Sequence, residues 1–251
     1  MFCFIHYFKK GVLPLTDKVR NSSDLMHFRT RNAFHAIFDF LFPPVCVNCG
    51  CVGNLLCETC RCRVQRLTSP IFVETDVGEK RPLTQAWAAT KFLEPIPEII
   101  HKFKYNSNFA LAELLAEFMV DAWQNFINQP VDLVIPIPLH HEREKKRGYN
   151  QAALLVNAFC KQANLKSDLE SLRRVRHTNS QVGLSAMARQ VNVNSAFWAN
   201  ARGVSGKRIL LVDDVFTTGA TMTAAASALR CAGTLAVIGF CVARAESHIN
   251  S

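Results

Sequence analysis

The 251-residue sequence has no apolar run approaching the roughly 20 residues that a bilayer-spanning helix needs, so membrane insertion is not expected. It lacks a secretory signal as well. The apolar stretch Met1–Phe8 precedes its charges, Lys9 and Lys10, which reverses the order of an export signal, and no small-residue cleavage site follows. A cytoplasmic location is therefore expected, where thiols stay reduced. Acidic residues are in short supply, 20 against 29 Lys and Arg, for a formal charge of +9. The excess gathers at Arg143, Lys145, Lys146 and Arg147 and at Arg173, Arg174 and Arg176. That pattern favours an anionic ligand (phosphate, pyrophosphate or nucleic acid), with a solvated basic surface as the plainer alternative. Tyr105, Tyr149, Trp87, Trp123 and Trp198 are scattered, without the basic-aromatic interleaving of single-strand binders. No helix-turn-helix pattern supports a transcriptional regulator.

Cysteine is not scarce. Six of the ten fall between Cys46 and Cys62, a density that a packed core does not require. Cys46-Val-Asn-Cys49 and Cys57-Glu-Thr-Cys60 are two C-x2-C pairs, each able to turn two thiolates toward one point. Together they offer four soft ligands for a tetrahedral structural zinc, and Gly50 permits the left-handed turn after the first pair. A disulfide knot is the competing reading, disfavoured without an export signal. Cys51 and Cys62 can each stand in for a neighbour, although C-x-C is a poorer knuckle. Four protein ligands leave no open position, so such a zinc is structural.

The chain is long enough for one full core with a small module attached. Residues 1–32 read as a poorly ordered leader, with Met26 as a candidate initiator. Residues 33–65 hold a short apolar helix (33–42), stopped by Pro43-Pro44, and the cysteine ribbon. Residues 66–251 form the larger domain, with the boundary near 64–82. In it, 83–92 reads as a strand. Ile96, Ile99, Ile100 and Phe103, then Leu111, Leu114, Leu115, Phe118, Met119 and Ala122, show helical spacing across an Asn106-Ser107-Asn108 break. Val131–Ile135 is a strand ended by Pro136-Ile-Pro138, residues 151–163 a helix, 208–212 a strand, 222–232 a helix and 235–242 a strand. This alternation predicts an α/β fold with a parallel sheet, ligands lying beyond the carboxyl ends of its strands.

The segment Ile209-Leu-Leu-Val-Asp213-Asp214-Val-Phe-Thr217-Thr218-Gly219-Ala220-Thr221 carries the chemistry. A buried strand delivers two carboxylates, then a loop of hydroxyls and a glycine opens into a helix. Amides at that helix start make an anion cradle, with Thr217, Thr218 and Thr221 adding hydroxyl donors and Gly219 close backbone approach. Asp213 and Asp214 would repel the phosphate but can accept from the two hydroxyls of a ribose whose 5-phosphate fills the loop. A capped strand-to-helix turn alone accounts for one acid and one hydroxyl, not all five polar positions.

This segment resembles the thirteen-residue signature of type I phosphoribosyltransferases. Pro136-Ile-Pro138-Leu139-His140, Arg143, Arg147-Gly148-Tyr149-Asn150-Gln151, Arg174, Thr178, Gln181, Leu184, Arg189 and Asn192 narrow the resemblance to the ComF family, from about Phe40 to Glu246. That family is associated with competence for DNA uptake and includes amidophosphoribosyltransferase-like proteins with an N-terminal cysteine ribbon. The extra Cys51 and Cys62 depart from its pattern. The resemblance implies a type I phosphoribosyltransferase-like parallel sheet flanked by helices, with a zinc ribbon held by Cys46, Cys49, Cys57 and Cys60. It also implies phosphoribosyl pyrophosphate as ligand, bound by Asp213, Asp214, Thr217, Thr218, Gly219, Ala220 and Thr221, with Mg²⁺ held chiefly by the ligand's oxygens. Pyrophosphate or substrate contacts are expected from Arg143, Lys146, Arg147 and Arg174, and residues 173–192 resemble the segment that closes over substrate. Two functions follow: a phosphoribosyltransferase, or a non-catalytic protein that keeps the site and handles single-stranded DNA or a partner such as a competence helicase. No residue identifies the acceptor, and the adjacent His140 and His141 give no sign of acid–base work.

Overall fold

The computed structural model describes residues 43–71, 82–105, 109–139, 145, 147–175 and 196–245. The expected leader, the 33–42 helix, Asn106–Asn108, Arg143, Lys146, both adjacent histidines and residues 176–195 lie outside them. Six strands are described: β1 (Gln85–Lys91), β2 (Leu133–Pro136), β3 (Leu172–Arg174), β4 (Phe197–Ala199), β5 (Arg208–Phe216) and β6 (Ala236–Arg244). The α-helices are α1 (Glu58–Cys62), α2 (Ile96–Tyr105), α3 (Phe109–Ala122), α4 (Gln151–Ala163), α5 (Ala201–Val204) and α6 (Ala220–Cys231). A π-helical turn, Trp123–Ile127, extends α3 and ends at Asn128 in the left-handed region. The main sheet runs β1-β6-β5-β2, every pair parallel, and β3 and β4 form a separate antiparallel pair.

The apolar runs in β5 and β6 do not alternate with polar residues because both faces of the sheet are covered. Leu210, Val212, Ile238, Phe240 and Val242 join the cluster that holds the apolar residues of α2, α3 and α4. Ile209, Leu211, Val237 and Cys241 join the cluster under α6 and the β3–β4 pair. Phe103, Phe118, Phe159 and Phe240 are fully buried in the first cluster, each stabilising the fold by about 1.5–3 kcal/mol. On the other face Gly239 lets α6 settle on the sheet: a Cβ there would meet the Met222 sulfur at 2.2 Å.

Two boundaries differ from the sequence reading, and both shape the site. β5 continues four residues past Val212 to Phe216, because β6 runs alongside as far as the Phe216–Arg244 pair. The two acids therefore sit in the strand, not after it. α6 begins at Ala220, two residues before Met222, because Gly219 at φ +78° takes the N-cap position.

The cysteine segment is continuous with this core. Cys46, Val47, Leu56, Cys60 and Val64 are buried in the same cluster as Phe103 and Phe118. Residues expected to link two modules instead extend the sheet edge: Arg66 pairs with Thr90 and Ile71 with Ala86, antiparallel to β1. Arg61 and Arg66 bind Glu117 and Asp121 of α3 at 2.9 and 3.3 Å, with the Arg66 guanidinium 4.5 Å from the Phe118 ring centroid. The described residues from Val45 onward belong to one unit.

Candidate functional site

The carboxyl end of β5 and the start of α6 form a pocket lined by Asp213, Phe216, Thr217, Gly219, Thr221, Met222 and Cys241, among others. Gly219 is the hinge of this loop. Its φ of +78° is a left-handed conformation that side chains rarely adopt, and an added Cβ would lie 2.6 Å from Phe216 Cζ. Phe216 is buried at the strand end and cannot yield easily. Thr217, Thr218, Ala220 and Thr221 are exposed at a helix start, where amides without intrahelical partners can meet an anion. Thr218 Oγ1 lies 3.4 Å from the Ala220 amide, a long contact that a ligand can replace.

Asp213 and Asp214 occupy successive positions near the carboxyl end of β5. Asp213 faces the pocket beside Cys241, its register partner on β6, and its Oδ1 accepts from the Asp214 amide at 2.9 Å. Burial, and then the neighbouring Asp214 charge, push its carboxyl up to about 7, against the pull of Lys104 and Arg174. Cys241 is fully buried, and burial followed by the two carboxylates drives its thiol well above the ordinary range. Asp214 instead meets Lys104 of α2, Nζ to Oδ2 2.8 Å. Lys104 and Cys241 did not emerge from the sequence reading, because each lies on an element with no motif of its own.

The loop after β2 is tied to α4 by Asn150. Its side chain caps the helix through the Ala152 amide and donates to the Ile137 carbonyl at 3.2 Å. Arg147 donates to Gln151 Oε1 at 2.9 Å, while the buried Gln151 Nε2 has no partner among the described residues. Of the four basic residues expected to contact substrate, Arg147 and Arg174 are described. Arg174 ends β3, 5.3 Å from the Phe197 ring centroid, and its charge reaches Asp213.

The aromatic residues are less scattered in space than in sequence. Arg147 stands 5.2 Å over the Tyr105 ring, Tyr105 lies 5.0 Å from His101, and Tyr149 lies 6.4 Å from Phe109. Tyr105 and Phe109 are exposed, whereas Trp87 and Trp123 are buried.

The cysteine cluster has the dimensions of a metal site. The ligand atoms of Cys46, Cys49, Cys51 and Cys57 all lie within 4.8 Å of one another. A tetrahedral zinc with bonds of about 2.3 Å needs sulfurs about 3.8 Å apart, and Cys49 and Cys57 are separated by 3.6 Å. The turn is made by Gly50, φ +77°, whose amide donates to the Cys46 carbonyl, while the Cys46 amide donates to Cys51. Burial raises the Cys46 thiol, but amides of Cys49, Cys57 and Asn48 outweigh it and bring it down to about 6. The expected ligands Cys46, Cys49 and Cys57 are in this group with Cys51, while the Cys60 thiol also interacts with Cys46, Cys49 and Cys57. The Val45–Val52 bridge returns Cys51 over the knuckle, and Cys60, buried in α1, accepts from Asn48 Nδ2 at 3.2 Å. Cys62 lies 3.5 Å from Glu58.

A parallel sheet with an acid pair at a strand end, a Thr-Thr-Gly-x-Thr loop and a helix start defines a phosphoribosyltransferase domain, and residues 110–248, more than half of the chain, match the phosphoribosyl transferase domain family. The chain belongs to the ComF family within that class. It is 35% identical to competence protein F of Haemophilus influenzae over 55% of this chain and 63% of that protein. It is 31% identical to the DNA utilization protein YhgH of Escherichia coli over 61% of this chain and 69% of the relative. Competence protein ComFC of Bacillus subtilis is 24% identical over 69% and 77%. Among solved structures, a glutamine phosphoribosylpyrophosphate amidotransferase from B. subtilis, complexed with ADP and GMP, aligns with TM-score 0.40 and 18% identity, over 55% of this chain and 30% of that one. No helix among the described residues is long and apolar enough to cross a membrane.

Proposed function

We propose that the protein binds phosphoribosyl pyrophosphate and transfers its phosphoribosyl group to an acceptor, as a cytoplasmic partner of DNA uptake. The observation that carries this reading is the Asp213 carboxylate facing the same pocket as Thr217, Gly219 and Thr221. In it the 5-phosphate takes the amides of α6 and the hydroxyls of Thr217, Thr218 and Thr221, Asp213 and Asp214 accept from the ribose hydroxyls, and Arg147 and Arg174, with Arg143 and Lys146, draw the pyrophosphate. Mg²⁺, held chiefly by ligand oxygens, supplies charge neutralisation at the leaving group. The bond from ribose C1 to pyrophosphate oxygen breaks with its electron pair leaving on pyrophosphate, and the acceptor's lone pair closes on C1. The protein contributes positioning and electrostatic stabilisation of the departing charge. Zinc on Cys46, Cys49 and Cys57, with Cys51 or Cys60 as the fourth ligand, is structural, its first three sulfurs being gathered by the knuckle.

Calorimetric titration with phosphoribosyl pyrophosphate and Mg²⁺ tests this directly. Saturable binding is expected, weakened at least tenfold when Thr217 and Thr218 are both changed to Val, since each lost hydrogen bond to a charged group is worth about 1.5–3 kcal/mol. No binding by the unsubstituted protein sinks the reading.

One observation favours a second reading, in which the fold handles single-stranded DNA. Arg147 over the exposed Tyr105 ring, and the exposed Phe109 near the half-buried Tyr149, are cationic and aromatic contacts of the kind that can stack bases. Salt-sensitive binding of an oligonucleotide that Tyr105→Ala weakens, without saturable sugar-phosphate binding, makes this the primary role.

A further inference from the structure

Among the described residues, a cation from outside the signature segment meets one of its two carboxylates. Lys104, in the last turn of α2, sets Nζ 2.8 Å from Asp214 Oδ2, with the two side chains 24% and 14% exposed. An ion pair on an open surface contributes little, about 0–1 kcal/mol. This one is mostly withdrawn from water, where a carboxylate left without its cation is costly.

The mount of Lys104 is rigid. α2 buries Ile96, Ile99, Ile100 and Phe103, so its polar face has one orientation. Tyr149 donates to the Phe103 carbonyl at 2.9 Å, and Lys102 donates to the Val47 carbonyl inside the cysteine knuckle while pairing with Glu98 at 3.2 Å. The end of α2 is thereby held from the α4 side and from the knuckle. The backbone of Lys104 is therefore fixed, and its ammonium is placed by the ion pair with Asp214.

Three other ionisable groups face this pair. Asp213 precedes Asp214 on β5, Cys241 lies behind Asp213 on β6, and Arg174 acts on Asp213 from β3. Two adjacent carboxylates in a partly buried strand repel one another. A cation held on one of them offsets that repulsion, so that both can serve as acceptors.

We propose that Lys104 is a positioning residue of the sugar-phosphate site, its ammonium fixing Asp214 through Oδ2 so that Oδ1 is kept for a ribose hydroxyl of the ligand. This rests on the reading of the pocket as a phosphoribosyl pyrophosphate site. Lys104 does not touch the ligand in this scheme; it acts through Asp214.

The test is a double-mutant cycle on the full chain, using Lys104→Met, Lys104→Arg, Asp214→Asn and the Met–Asn double variant. Each is titrated with phosphoribosyl pyrophosphate and Mg²⁺ between pH 6.5 and 8.5, with thermal unfolding to establish that it folds. Lys104→Met is expected to weaken binding about 10- to 100-fold. It should also move the pH at which affinity levels off to a higher value, because Asp213 and Asp214 lose their nearest cation. Lys104→Arg, which restores the charge, should recover most of the affinity. The double variant should bind no worse than Asp214→Asn alone, the sign of a residue acting through its partner. Binding by Lys104→Met equal to the unsubstituted protein, or losses that simply add in the double variant, overturns this inference and leaves the site reading intact. Absence of binding by the unsubstituted protein overturns both.

Discussion

The cysteine knuckle and the Thr217–Thr221 loop are both turns made on a left-handed glycine, Gly50 at φ +77° and Gly219 at φ +78°, yet they use that turn for opposite ends. Around Gly50 the chain folds back so that sulfurs converge inward, and two of the cluster, Cys46 and Cys60, sit in the hydrophobic core. Around Gly219 the chain opens, so that amides and hydroxyls diverge outward from a buried phenylalanine. The first arrangement stabilises the protein through what it encloses. On the reading proposed above, the second holds its donors for a ligand, at a cost in stability that functional sites commonly carry.

The comparison breaks most visibly at the metal. If the knuckle is structural, exhaustive chelation or the paired change Cys46→Ser and Cys49→Ser should lower the melting temperature by roughly 10 °C or more, since metal binding contributes directly to folding and the segment shares the main core. Calorimetric unfolding with zinc analysis checks this, and an unchanged transition in zinc-free protein removes the structural role. Single changes at Cys51 and Cys60 then show which one completes the site: the true fourth ligand loses zinc, the other keeps it.

The loop should respond differently to the loss of its glycine. Gly219→Ala forces a Cβ to 2.6 Å from Phe216 and strains a left-handed backbone, costing about 1–3 kcal/mol of stability. Phosphoribosyl pyrophosphate binding should fall far more than that, because the amides of α6 turn away. A variant that melts earlier but binds normally shows that the loop is a turn and not a cradle.

What the sequence made legible follows the same division. Acids, hydroxyls and glycine of the phosphate loop are contiguous, so their chemistry is readable as a string, and so are the β5–α6–β6 alternation and the clustered thiols. Contacts made between distant elements left no such trace. Lys104 is one lysine at a helix end, and nothing near it in the sequence points to Asp214. Tyr105 and Tyr149 give no sign in the sequence that the fold sets Arg147 over the one and Phe109 near the other. The choice between Cys51 and Cys60 depends on a backbone bridge and an asparagine amide, neither of which C-x2-C spacing records. The extension of β5 to Phe216 is set by pairing with β6, not by the residues of β5 alone.

The finest difference between the two regions is in protons. Asp213, whose carboxyl is raised to about 7, holds a proton in the folded, ligand-free protein at pH values where the unfolded chain has already released it. The native state therefore binds more protons between about pH 4 and 7, and its contribution to stability is present at the acid end and is lost as pH rises through 7. A ribose hydroxyl donating to Asp213 needs the ionised carboxylate, so ligand binding releases that proton. Affinity for phosphoribosyl pyrophosphate should then rise with pH toward 7, by at most about tenfold per unit, and level off above it. Asp213→Asn removes the carboxyl's part of this slope, and calorimetry in buffers of different ionisation enthalpy counts the proton released. A slope that survives in Asp213→Asn belongs to the ligand's own phosphates, and would place the ribose on Asp214 alone.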